Sequence, residues 1–175
     1  MGRAYYSAGI LIYKVCGDNI QVLLGCDNKY KCWSDFGGKC EWIDNNDPLK
    51  TASREFYEET SGVIASESTI YKHLKRNGIC IKCKSYNNHE YNMYLLNDQH
   101  IHVSNDCVID FEKQQSILTN KSQPTNRNNM KYIEKSSIDW LFLDDILKNP
   151  ELYRGVFLES IRCNYEILQQ KCVNV

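Results

Sequence analysis

The chain has 175 residues, of which 42% are hydrophobic and 25% are charged, and its formal net charge is −1. These values are typical of one soluble globular domain, here residues 1–175, and they exclude a protein whose overall field attracts nucleic acid. No apolar run approaches the roughly 18 residues of a membrane helix, and no charged-then-apolar leader opens the chain. We therefore expect a cytoplasmic protein with no membrane partner.

The nine cysteines are odd in number, and only Cys80 and Cys83 stand at the spacing of metal ligands. No second pair follows them, so reduced cytosolic thiols are favoured over a zinc site.

The first third of the chain predicts a β-hairpin, a glycine loop and one helix. Residues 7–15 and 20–25 are apolar and rich in β-branched side chains, with a turn between them. Asp47 is suited to cap a helix whose first position is Pro48, and residues 49–60 have apolar side chains at helical spacing. Gly62 is placed to end that helix.

The remainder predicts two strands at 78–84 and 90–96 around a turn at 86–89, and a later strand at 137–143. A short helix through residue 147 and an amphipathic helix at 153–170 close the chain. Residues 70–76 are weakly patterned and residues 97–129 show little pattern. The polar segment 119–129 predicts a mobile loop.

Three carboxylates carry the strongest chemical signal. Glu55, Glu58 and Glu59 are spaced i, i+3 and i+4, so a helix places them on one face, where like charges repel. A hard divalent cation such as Mg²⁺ or Mn²⁺ would offset that repulsion. A solvated acidic surface is the alternative, but the Gly37–Gly38 pair before the helix and Gly62 after it favour a site for phosphate and metal.

The segment 37–63, GGKCEWIDNNDPLKTASREFYEETSGV, resembles the Nudix box. This resemblance implies an α/β protein with the Nudix fold, a mixed sheet sandwiched between helices in α/β/α layers. Nine residues separate Asp44, which takes the place of the first glutamate of the box, from Arg54. That is two more than the box has, so residues 45–47 contain an insertion, and Asp47 or Glu41 are alternatives to Asp44.

The resemblance also implies a role for each acid. The metal ligands would be the backbone carbonyl of one glycine and the carboxylates of three glutamates: Gly38, Glu55, Glu58 and Glu59. Arg54 would orient the glutamates through charge-assisted hydrogen bonds. The catalytic base would be a helix glutamate, Glu55 or Glu58, or else Glu134, whose alternative interpretation is an exposed residue of a polar loop.

The expected reaction is metal-dependent hydrolysis of a phosphoanhydride in a nucleoside diphosphate linked to another group. Residues predicted to contact such a nucleotide are Trp33, Phe36, Gly37 and Lys39. Trp33, Phe36 and Trp140 have rings that could stack on a base, with burial in the core as the alternative. The oligomeric state is left open, with a homodimer included.

Two other functions remain alternatives. The bias toward Asn, Lys, Ile and Tyr suggests an AT-rich genome, such as that of a large DNA virus, and an mRNA-decapping Nudix enzyme would then act on capped RNA in the host cytoplasm. Such an enzyme needs a basic surface for RNA, and the sequence has no basic run. A non-catalytic Nudix-like binding module is the second alternative, although the acids and Arg54 are all present.

Overall fold

The computed structural model describes residues 6–84, 89–120 and 131–173. Within them, seven strands form one mixed sheet in the order β3-β2-β1-β6-β5, with β4 paired to β1 and β7 paired to β2. The strands, from β1 to β7, are Tyr6–Cys16, Asn19–Asp27, Trp33–Ser34, Phe36–Lys39, Ile79–Lys84, Glu90–Asn97 and Lys135–Phe142. The pair β1–β6 is parallel, and the other pairs are antiparallel.

Alternation along β1 divides the core between the two faces of the sheet. Ile10 and Ile12 pack on the face that is covered by helices α1 to α4, which are Pro48–Glu59, Glu67–Asn77, Asp98–Ile101 and Cys107–Asn120. Leu11 and Tyr13 pack on the opposite face, under the helices Leu143–Lys148 and Gly155–Val173. The predicted α/β/α layering is therefore confirmed.

The longer predicted elements are confirmed, with ends shifted by a few residues. Helices α2 and α4 were not predicted. In α4, Cys107 and Phe111 are buried but Ile109 and Ile117 are exposed, so apolar side chains do not mark one face, and α2 buries only Ile70 and Leu74. Most of the predicted turn at 86–89 and of the predicted loop at 119–129 lies outside the described residues, although residues 119 and 120 still belong to α4.

Helix α1 begins where the sequence predicts. The Asp47 carboxylate accepts a hydrogen bond from the Leu49 amide at 2.9 Å, and Pro48 takes the first helical position. After the helix, Ser61 is the first residue in the left-handed conformation, with a φ of 54°, and Gly62, the expected stop, follows it with a φ of 69°. None of the helices in the described ranges is long and apolar enough to span a bilayer.

Loss of this cap should weaken the helix that carries the acids. Asp47→Ala removes the acceptor of the Leu49 amide, and we expect the free energy of unfolding to fall by about 1 kcal/mol. Asp47→Asn keeps an acceptor oxygen and should retain most of that stability. Urea denaturation of the three proteins measures the difference, and equal midpoints for Asp47→Ala and the natural chain would contradict the capping role.

Candidate active site

The glycine loop and the acidic helix meet because β4 pairs with the first half of β1. Ser7 lies opposite Lys39 and Gly9 opposite Gly37, so the loop is fixed to the centre of the sheet. The ring of Phe36 on β4 packs edge-to-face on Phe56 of α1, with ring centroids 5.2 Å apart. This buried contact holds the acidic face of α1 against the loop.

Arg54 lies at the centre of the site. Its Nε and Nη2 atoms donate to the two oxygens of Asp44 at 3.0 Å each, in the bidentate geometry that guanidinium favours. Its Nη1 atom donates to Glu55 at 2.9 Å and to Glu58 at 3.3 Å, and Nη2 also donates to the Lys39 carbonyl at 3.1 Å. One buried cation thus joins the loop to two of the three glutamates.

The insertion in the box does not displace Asp44. Its carboxylate is buried and also accepts from the Glu41 amide at 2.8 Å and the Thr51 hydroxyl at 2.9 Å. Burial raises the pKa of Asp44, but the hydrogen bonds from Arg54, Glu41 and Thr51 outweigh it, so the pKa is below its usual value. Asp44 is therefore the partner of Arg54, while Asp47 is the helix cap.

Two asparagines form the turn that accommodates the insertion between Asp44 and α1. Asn45 and Asn46 have φ values of 54° and 58°, in the left-handed region that asparagine tolerates better than most residues. The tight turn they form lets the chain reach Asp47 after leaving Asp44, so the helix keeps its place.

Glu55 lies directly on the backbone of Gly38. A Cβ atom at position 38 would come within 2.5 Å of the Glu55 carboxyl carbon, so a larger residue would require the Glu55 carboxylate to move. The glycine therefore serves close contact rather than an unusual backbone angle. Burial raises the pKa of Glu55 to about 7, against the opposing charge of Arg54 and with added repulsion from Glu58 and Glu134.

Glu58 and Glu59 face two different lysines. Glu58 contacts Lys131, whose side chain is partly exposed. Glu59 is buried: one oxygen accepts from the Gly37 amide at 2.7 Å, and the other lies 3.2 Å from the Lys135 ammonium. Burial raises the pKa of Glu59, and the charge of its partner Lys135 opposes the rise.

Each glutamate of α1 thus faces a basic side chain of the protein itself. In the part of the chain that the structure describes, no three His, Cys, Asp or Glu side chains are arranged to hold a metal ion.

Glu134 lies near enough to the helix glutamates for their charges to interact. The preceding residues Lys131–Ile133 form a 3-10 turn, and the Tyr132 carbonyl accepts from Gln115 at 2.7 Å and from Ser61 at 2.8 Å. The carbonyl of Glu134 itself accepts from the Asn28 amide at 2.7 Å. Glu134 is exposed to solvent, as the alternative interpretation expected. Partial desolvation by the surrounding residues raises the pKa of its carboxyl, and repulsion by nearby acids that include Glu58 adds to the rise.

The residues predicted to contact substrate divide into two groups. Phe36 is fully buried, and Trp33 packs against the core on the opposite face of the sheet, where its carbonyl accepts from the Arg154 amide at 2.9 Å. Burial in the core, the alternative left open by the sequence, is what the structure shows for Phe36. Gly37 and Lys39 do lie at the site, where Gly37 donates to Glu59 and the Lys39 carbonyl accepts from Arg54.

Lys131 and Lys135 are the site residues that sequence reasoning missed. A lysine at the start of a strand usually predicts an exposed side chain, yet Lys135 is only 1% exposed. No pattern in the sequence indicates that either lysine meets a glutamate more than seventy residues earlier in the chain.

Comparison of the whole fold with solved structures identifies its class: the chain has the Nudix fold. The Nudix domain of Shewanella oneidensis NrtR, in complex with ADP ribose, matches with a TM-score of 0.55 and 13% identity over 96% of this chain and 90% of that one. The Nudix hydrolase RenU from M. smegmatis matches with a TM-score of 0.52 and 13% identity over 100% and 94% of the two chains. A C. elegans Ap4A hydrolase matches with a TM-score of 0.51 and 16% identity over 94% and 98%. No protein-family model and no curated protein sequence matches the chain.

The Arg54–Asp44 pair should stabilise the fold as well as the site. Asp44→Ala leaves part of the guanidinium buried without its partner, and we expect a loss of about 3 kcal/mol in unfolding free energy. Asp145→Ala is the matched control, because it removes an exposed pair with Lys148 and should cost less than about 1 kcal/mol. Equal losses in the two variants, measured by urea denaturation, would contradict the central role of the pair.

The raised pKa of Glu55 predicts how stability depends on pH without added metal. With a pKa of about 7 against a usual 4.5, Glu55 binds a proton in the folded chain that the unfolded chain releases. Stability should therefore fall as the pH rises from about 4.5 to about 7. Melting temperatures in EDTA should show this fall, Glu55→Gln should reduce it, and the exposed Glu112→Gln should not. A natural chain more stable at pH 8 than at pH 5 would contradict it.

Proposed function

We propose that the protein is a Nudix pyrophosphohydrolase, which uses Mg²⁺ or Mn²⁺ to cleave a phosphoanhydride in a nucleoside diphosphate linked to another group. The observation that supports this proposal most strongly is the geometry of Arg54. Its single guanidinium holds Asp44 from the loop and both Glu55 and Glu58 from the helix, on a chain that has the Nudix fold. This arrangement presents two acids and a glycine backbone at one place.

The donor set fits a hard divalent cation. Glu55 and Glu58 offer carboxylate oxygens, the donors that Mg²⁺ and Mn²⁺ prefer, and they share Arg54 as their orienting partner. Lys131, the second cation on Glu58, has a side chain that is 43% exposed, so it can leave when a metal ion takes its place. The ligands that we propose are Glu55, Glu58 and the carbonyl of Gly38.

Glu59, the third glutamate that the resemblance implies as a ligand, is set apart by its pairing. One of its oxygens accepts from the Gly37 amide and the other pairs with the buried Lys135, whereas one oxygen of Glu58 pairs with the partly exposed Lys131.

A bound divalent ion would neutralise diphosphate charge and lower the pKa of a water positioned to attack phosphorus. Side chains of the protein orient the metal ligands and accept the proton. Arg54 fixes the rotamers of Glu55 and Glu58, and Asp44 fixes Arg54, so the ligands are held in place before substrate arrives. Glu134 follows a turn that Ser61, two residues after α1, holds through the Tyr132 carbonyl, and its charge interacts with that of Glu58. It is the residue we propose as the base that accepts the proton of that water.

A small nucleotide is the substrate class that we favour. The two nucleotide-type molecules named with the matching structures, ADP ribose and Ap4A, both contain an adenosine joined to a chain of phosphates. The chain itself carries a net charge of −1, so it lacks the overall positive field that would attract a long RNA body. Capped RNA and a binding function without turnover are therefore the alternatives that the experiment must separate.

The test is a screen for phosphate release and mass change with Mg²⁺ and with Mn²⁺. The panel contains canonical and oxidised deoxynucleotides, dinucleoside polyphosphates, ADP ribose, NAD, an inositol pyrophosphate and capped RNA. We expect turnover of one nucleotide class, which EDTA abolishes and divalent metal restores. Glu58→Gln should lower kcat by roughly a hundredfold or more, because it removes several kcal/mol of metal-dependent stabilisation.

The exposed Glu112→Gln is the matched control and should retain the natural rate. Full activity in EDTA, or an undiminished rate in Glu58→Gln, would contradict metal-dependent hydrolysis. Tight binding of a nucleotide with no turnover in either metal would favour the binding module, and cleavage of capped RNA alone would favour decapping.

A further inference from the structure

Lys135 and Glu59 form a salt bridge inside the protein. The Lys135 side chain is 1% exposed and that of Glu59 is 6% exposed, and their charged atoms lie 3.2 Å apart. The ammonium also donates to the Ser34 hydroxyl at 2.9 Å and contacts the Asp35 carbonyl at 3.5 Å. A lysine this deeply buried remains charged only when such partners surround it.

The fold is shaped to bring this lysine to the acidic helix. A register shift between β2 and β7 pairs Cys26 with Ser137 but Asp27 with Lys135, so Ser136 is an extra residue in β7. Such a bulge changes the face to which the preceding side chain points. Simple alternation would place Lys135 on the face of Ser137, whereas the bulge turns it to the face of Ile138, on which α1 packs.

Gly25 leaves space for the Lys135 side chain. A Cβ atom at this position of β2 would come within 2.8 Å of the Lys135 side chain and 2.9 Å of the Phe36 ring. The absence of a side chain on Gly25 therefore makes room for the lysine stem between the sheet and Phe36.

The two lysines of the site thus differ in kind. Lys131 reaches Glu58 from the surface, while Lys135 reaches Glu59 through the core and is held by Ser34. Glu59 is fixed from the other side by the Gly37 amide. A metal ion at Glu59 would have to displace an ammonium whose side chain is 1% exposed, and that charge would be left buried without its anionic partner.

We propose that Lys135 is a built-in counter-charge that reserves Glu59 for a structural role, so that divalent metal binds through Glu55 and Glu58 and without Glu59. Lys135 is therefore a positioning residue: it holds Glu59, and Glu59 holds the Gly37 backbone beside the metal ligands. This inference rests on the proposed function, since it divides the ligands of that site.

The test makes two measurements on the full chain and its variants. Calorimetry and electron paramagnetic resonance measure Mn²⁺ binding, and thermal denaturation gives the melting temperature. The variants are Lys135→Met, Glu59→Gln, the double variant Lys135→Met with Glu59→Gln, and Glu58→Gln. The double variant removes both charges at nearly constant volume. We expect it to bind as many Mn²⁺ ions as the natural chain and without a tenfold loss of affinity, whereas Glu58→Gln should lose about tenfold or more.

The melting temperature tests the pair itself. Each single variant leaves one buried charge without its partner and should melt well below the natural chain, and the double variant should recover most of that loss. If the melting temperature of the double variant falls by as much as the sum of the falls in the two single variants, the pairing would be overturned.

A double variant that loses Mn²⁺ as strongly as Glu58→Gln would show that Glu59 is a ligand after all, and would overturn the inference. A natural chain that binds no Mn²⁺ would overturn the proposed function and with it the division of ligands. The melting comparison needs no metal, so it would still decide the ion pair separately.

Discussion

Three carboxylates on one turn of a helix repel one another, and the site depends on the positive charges that offset this repulsion. Arg54 is the first of them, because it binds Asp44 of the loop on one side and Glu55 and Glu58 of the helix on the other. Its bidentate contact with Asp44 fixes the guanidinium plane, so the helix glutamates are oriented by a group that cannot itself rotate away.

The remaining charges are offset in two ways that have different consequences. A partly exposed cation such as Lys131 can be exchanged for a ligand with little loss, since water solvates it when it leaves. A buried cation such as Lys135 cannot, because breaking its pair would leave a charge in the core. The location of each lysine therefore separates the acid that is held as part of the fold from the acids that remain available for chemistry.

The fold supports this arrangement through contacts that carry no charge. The ring pair of Phe36 and Phe56 fixes the distance between β4 and α1, and the missing side chain of Gly38 lets Glu55 reach the backbone of the loop. The matching solved structures share the fold at 13% to 16% identity, which shows that many sequences can build this scaffold. The chemistry that we propose therefore rests on the side chains of this chain rather than on the shared architecture.

The sequence by itself determined the long strands, the acidic helix with its cap at Asp47, and the resemblance from which the Nudix fold was expected. These features follow from local periodicity and from short motifs, in which the informative residues are neighbours along the chain. It also placed Glu55, Glu58 and Glu59 on one helix face, because that relation depends only on spacing.

Only the tertiary structure decided which acid pairs with Arg54, which aromatic rings are core, and which cation meets each glutamate. The sequence leaves Asp47 and Glu41 as alternatives to Asp44 for the acid of the box, and the structure assigns the contact with Arg54 to Asp44, which the turn at Asn45 and Asn46 separates from the cap Asp47. Lys135 has the sequence appearance of a surface residue, and a bulge in β7 turns it into the interior. Contacts between residues so distant in sequence depend on sheet register and packing, which no local pattern specifies.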